Sequence, residues 1–116
     1  MTLRPAAKDT GIIFRRLDLE PIQQIPALAK SVIDTMLGTT IAKKNASVMT
    51  VEHILAAFAG LGIDNALIDL DGPEVPIMDG SSLPFIKLIE GAGIVSLPIK
   101  RKFIKILDKI SISDGN

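Results

Sequence analysis

Cysteine, tryptophan and tyrosine are all missing from these 116 residues, and four phenylalanines are the only aromatic side chains. Without cysteine there can be no disulfide, thiolate-bound zinc, iron–sulfur ligation or thiol nucleophile, and nothing points to an oxidising compartment. So few aromatics make no stacking platform for single-stranded nucleic acid. An excess of one charge is missing as well: thirteen Lys and Arg balance thirteen Asp and Glu, so no net field draws the chain toward a polyanion. The longest uninterrupted apolar stretch, Ile54 to Ile63, falls far short of the roughly 20 residues a spanning helix needs. The N-terminal MTLRPAAKDTG has no signal-type apolar core. The expectation is a cytoplasmic protein with no nucleic-acid partner and no transmembrane segment.

The residues that are present are enough for one domain: 47% are hydrophobic, nearly all aliphatic. Thr2–Arg4 and Gly11–Asp18 read as extended segments joined by a turn at Asp9-Thr10-Gly11, with Arg15 and Arg16 facing outward. Pro21 and Pro26 exclude a long helix over residues 19–50, which reads as short strands and loops. At residue 50 helical spacing begins. Thr50 is the expected N-cap, Glu52 favours the first-turn dipole, Val51, Ile54, Leu55, Phe58 and Leu61 recur on one face, and Gly60 and Gly62 end the helix. Ala66–Leu70 reads as a buried strand and Val75–Met78 as a short one. After the Asp79-Gly80 turn, Ser81 is the expected N-cap of a second helix that tolerates Pro84 in its first turn and ends at Gly91 and Gly93. Ile104, Ile106, Ile110 and Ile112 predict a strand, and Ser113-Asp114-Gly115-Asn116 a turn with no second strand after it. That pattern reads as a chain that continues elsewhere.

His53 is the single histidine, at the start of the first helix, where neighbouring amides favour a neutral ring. It has two readings, a packing or capping residue and a metal ligand. Glu52 likewise is either a dipole-compensating carboxylate or a base beside that ligand, as metal-assisted hydrolysis would require. One histidine without cysteine leaves only carboxylates to complete a catalytic zinc site, and Asp34, Asp64 and Asp79 stand at no companion spacing, so the chain alone is not expected to hold catalytic zinc firmly. The His-Glu-x-x-His pattern, a dinucleotide fingerprint, a P-loop and a Gly-x-Ser-x-Gly elbow are all missing. Turn and cap chemistry accounts for Asp79-Gly80-Ser81 better than a reactive serine does. Lys100, Arg101, Lys102, Lys105 and Lys109 read as a solvated strand edge. Met36 and Leu37, an apolar pair in a polar stretch, suit either a core or a groove for an apolar ligand.

Thr50-Val51-Glu52-His53, Ala56-Ala57 and Gly60-Leu61-Gly62-Ile63-Asp64-Asn65 together resemble the UDP-3-O-acyl-N-acetylglucosamine deacetylases, zinc amidases of lipid A biosynthesis. The likeness extends through Leu3-Arg4-Pro5-Ala6, Arg15-Arg16-x-Asp18-Leu19, Ala29-Lys30-Ser31-Val32-x-Asp34-Thr35-Met36-Leu37, Pro73-Glu74-x-Pro76-Ile77-Met78-Asp79-Gly80-Ser81 and Pro84-Phe85, in the family's order. The resemblance implies an α/β (α+β) two-layer sandwich, two helices on one face of a mixed sheet. This would be the first of two similar domains of the ribosomal protein S5 domain 2-like kind. Residues 1–98 would be the N-terminal deacetylase domain without its first strand region. Residues 99–116 would be a linker and the opening strand of the second domain.

The resemblance further implies hydrolysis of the N-acetyl group of UDP-3-O-(3-hydroxyacyl)-N-acetylglucosamine, with release of acetate. His53 would be one of three ligands of a Zn2+ cofactor, Glu52 the catalytic base, and Met36 and Leu37 substrate-binding residues. The remaining ligands would come from a second half, which with self-association is the expected protein partner. The competing expectation is a non-catalytic module with a binding or interaction role only.

Overall fold

The computed structural model describes residues 1–115. In chain order they form β1 (Thr2–Pro5), β2 (Ile12–Arg16), β3 (Gln23–Pro26), a 3-10 turn (Ala29–Ser31), β4 (Val32–Asp34), β5 (Thr40–Lys43), β6 (Ala46–Val48), α1 (Glu52–Leu61), β7 (Ala66–Leu70) and α2 (Leu83–Ala92). The α+β architecture is the expected one. The mixed sheet that the resemblance implied is present, and a second, smaller sheet accompanies it. The first has the order β1-β7-β2-β3, with β7 parallel to β2 and the outer pairs antiparallel. The second is an antiparallel β4-β5-β6 sheet built from the proline-flanked region, where each strand spans only three or four residues.

Registers explain the core. Leu3 and Phe14 both pair with Ile68, and Phe14 also pairs with Ile25, so these side chains share one face of the larger sheet. From α1, Ile54, Ala57 and Phe58 join the same apolar cluster, three or four residues apart on one helix face. Phe85 and Ile89 of α2 do likewise. Ile41, Ala46 and Val48 carry the cluster into the smaller sheet.

Alternation also corrects the reading of the arginine pair. Adjacent strand residues point to opposite faces, so Arg15 and Arg16 cannot both face outward. Arg16 is buried, its guanidinium donating to both carboxylate oxygens of Asp18 (2.8 and 2.7 Å) and to the Ser47 carbonyl (2.7 Å), which ties β2 to β6. Arg15 lies on the opposite face and donates to Asp69, which also receives Arg4 at 2.7 Å.

Gly62 ends α1 in the left-handed region, φ +69°, and the Ile63 amide reaches back to the Phe58 carbonyl at 2.9 Å. Gly60 lies within α1 and Gly91 within α2, so neither is a helix stop. Residues 75–78 form no strand. The chain there makes one parallel bridge, Met49 to Glu74, and buries Val75. No strand forms over residues 99–115 either, because a strand face needs a partner and none lies beside Ile104, Ile106, Ile110 and Ile112, all exposed. The basic residues there are exposed but edge no strand; Arg101 pairs with Asp64 at 2.7 Å and Lys102 with Asp9. Asn116, the end of the expected turn, lies outside the described residues.

Candidate active site

Glu52 and His53 open α1, both half-buried. The segment leading into them differs from the expected cap. Val51 occupies the N-cap position and no side chain caps the helix. Thr50 has a left-handed backbone, φ +59°, and its hydroxyl donates away from the helix, to Glu74 Oε1 at 2.7 Å. That turn swings the chain from β6 into α1, and the 73–75 segment holds it. The Met49 amide donates to the Pro73 carbonyl (2.8 Å) and the Val75 amide to the Met49 carbonyl (3.1 Å).

The other side of the helix start is held by the β4–β5 loop. The Thr39 amide donates to Glu52 Oε2 at 2.9 Å, and the Thr39 carbonyl accepts the Val51 amide at 3.3 Å. Oε1 lies on the Gly38 side, where a Cβ on that glycine would stand 3.2 Å from it. The loop's outer turn is set by the Met36 amide donating to Asp34 Oδ1 at 3.0 Å. Met36 and Leu37 are strongly exposed, and Leu37 is left-handed at φ +60°. With Asp34, Thr50 and Glu74 they line a hollow of about 210 Å3 beside the helix start. Neither side chain packs into the core of the described residues.

A wider groove of about 1090 Å3 lies elsewhere, against Phe58, Leu61 and Gly62 at the far end of α1, about 15 Å along the axis from Glu52. It contains none of the candidate catalytic residues. Asp79 and Ser81 are also accounted for by local structure. The Ser81 hydroxyl and amide both donate to Asp79 Oδ1 (2.8 and 2.9 Å), holding that carboxyl below its usual range, while Ser81 Oγ accepts the Leu83 amide (3.2 Å) at the start of α2.

Among the described residues, no group of three or more His, Cys, Asp or Glu side chains could hold a metal ion. His53 is a single possible donor, so the residues present do not by themselves fit a zinc centre. Sequence reasoning reached Glu52, His53, Met36 and Leu37 but passed over Gly38, Thr39 and the Thr50–Glu74 bond. The available signal was a glycine directly after an exposed apolar pair.

The domain is therefore a two-sheet α+β unit in which Glu52 and His53 are consecutive residues at a helix start braced by the β4–β5 loop. Residues 1–116 match the family model for LpxC, UDP-3-O-acyl N-acetylglycosamine deacetylase, and the chain belongs to that family. It is 53% identical over 116 residues to the UDP-3-O-acyl-N-acetylglucosamine deacetylase of Saccharophagus degradans. It is 51% identical over 116 residues to that of Pseudomonas entomophila, and 52% identical over 115 residues to that of Teredinibacter turnerae. These alignments take in 100%, 100% and 99% of this chain, which spans 38% of the length of each relative.

Proposed function

We propose that this chain supplies the catalytic base and one metal donor to a zinc-dependent deacetylase of lipid A biosynthesis, acting in the cytoplasm. The substrate is UDP-3-O-(3-hydroxyacyl)-N-acetylglucosamine, and the reaction cleaves its acetamide to release acetate. Glu52 accepts a proton from the attacking water, which adds oxygen to the acetamide carbonyl; the amine then leaves with a proton. His53 is one donor to zinc, and the remaining ligands belong to polypeptide outside these 116 residues. Met36 and Leu37 contact the substrate from the β4–β5 loop. Residues 1–98 act as the N-terminal domain, and 99–116 lead into a second domain, the chain's main partner.

The observation that carries this reading is the placement of Glu52, half-buried and held by the Thr39 amide next to the only histidine, within a chain of this family. The test joins these 116 residues to the rest of the S. degradans relative and measures release of acetate. Glu52→Gln, which keeps the shape but removes the base, is expected to lower turnover about 10²- to 10⁴-fold. Near-normal turnover would remove Glu52 from this role, and an inactive joined protein with intact folding would favour a binding module.

A further inference from the structure

Glu52 is the first residue of α1, where a carboxylate suits the positive end of the helix dipole. Here it reaches Thr39, thirteen residues earlier, on a different element. The same residue's carbonyl accepts the Val51 amide, so Thr39 grips α1 both at its backbone and at the carboxylate. The grip is itself anchored. Thr40 begins β5 and pairs with Asp34 of β4, so the loop between them is closed at its base. Gly38 completes the arrangement from the other side, since a Cβ there would stand 3.2 Å from Glu52 Oε1 and 3.8 Å from Thr50 Oγ1. Gly38 is not among the residues with positive φ, so its backbone does not call for glycine, and the tight contact that a Cβ would make falls on the end of the Glu52 side chain.

We propose that Gly38 and Thr39 are positioning residues for the Glu52 carboxylate: the Thr39 amide fixes Oε2, and the bare Gly38 Cα leaves Oε1 room in the orientation the reaction uses. A glutamate otherwise samples several rotamers at a helix start, and a charge-assisted N–H bond selects one. Met36 and Leu37 sit on the loop whose last residues hold the carboxylate.

The proposal rests on Glu52 being the base, and the test separates the two. In the joined protein, Gly38→Ala adds one carbon at a loop position and is expected to lower kcat about tenfold, with KM within about twofold, because sub-ångström misplacement of a catalytic group is costly. Thr39→Pro removes the donor and is expected to lower kcat at least as much. A second readout does not depend on turnover. The Thr39 amide proton resonance is expected to move upfield in Glu52→Gln, as a neutral acceptor replaces a charged one. If Glu52→Gln abolishes turnover while Gly38→Ala keeps wild-type kcat, or changes KM alone, the positioning proposal is overturned. It is overturned equally if the Thr39 amide is indifferent to Glu52→Gln. Normal turnover in Glu52→Gln would instead sink the reading of Glu52 as base, whatever the Thr39 amide does.

Discussion

Two residues beside the site hold backbone conformations that their side chains disfavour. Leu37 and the β-branched Thr50 are both left-handed, at φ +60° and +59°. Thr50 has a local compensation in its bond to Glu74. Leu37 has none, since its side chain is fully exposed. In the proposed function this strained, solvent-facing leucine contacts the acylated substrate. Leu37→Gly is therefore expected to raise folding stability by about 0.5 kcal/mol, the left-handed penalty relieved less the extra freedom of the unfolded chain. In the joined protein it is expected to raise KM for the acylated substrate. Urea unfolding and steady-state kinetics check the two halves, and a less stable Leu37→Gly would show that the leucine packs after all.

At the scale of elements, the larger sheet carries its polar link on the face turned away from the apolar cluster. Asp69 in β7 is buried between Arg15 of β2 and Arg4 of β1, so one carboxylate joins three strands. The Arg15 guanidinium, helped by Arg4, holds the Asp69 carboxyl below the usual carboxylate range. A depressed carboxylate pKa contributes stability that is present in full above the unfolded value of about 3.9 and is lost as pH falls through the folded value. Arg4 is more than half exposed, so solvent screening limits the effect. Asp69→Asn is expected to cost about 1–2 kcal/mol at pH 7. In denaturant titrations the gap from wild type should persist down to about pH 5 and close below about pH 4. A gap independent of pH would mean the charge is not what matters.

The elements legible in the sequence were those whose pattern is local. Both helices, β1, β2 and β7 declared themselves through apolar spacing and glycine stops, because burial against one core imposes that spacing directly. The β4-β5-β6 sheet was foreseen only as short strands, since three- and four-residue segments carry too few positions to reveal a partner. Residues 75–78 and 104–112 have strand composition without strand structure, because pairing is a property of neighbours and not of the segment. The site divided the same way. Glu52, His53, Met36 and Leu37 were legible as residue types in suggestive places. The Thr39 amide and the cradle at Gly38 were not, because they depend on how a loop folds back on a helix.

Over the whole molecule, the described residues split into a packed body and a thinly attached segment. Residues 93–115 carry ten large apolar side chains that remain exposed, from Ile94 to Ile112. The radius of gyration, 15.6 Å, exceeds the about 13 Å usual for a compact chain of this length. No helix among the described residues is long and apolar enough to cross a membrane. An apolar segment of this extent suits burial against further polypeptide, in keeping with a chain that spans 38% of its relatives. The central claim, that His53 gives one donor to a zinc centre completed from outside these residues, is tested most directly by zinc content after dialysis. The 116-residue chain alone is expected to retain well under one zinc, the joined protein one, and joined His53→Ala to bind more than about 100-fold more weakly. One tightly held zinc on the 116-residue chain, or unchanged affinity in joined His53→Ala, would contradict it.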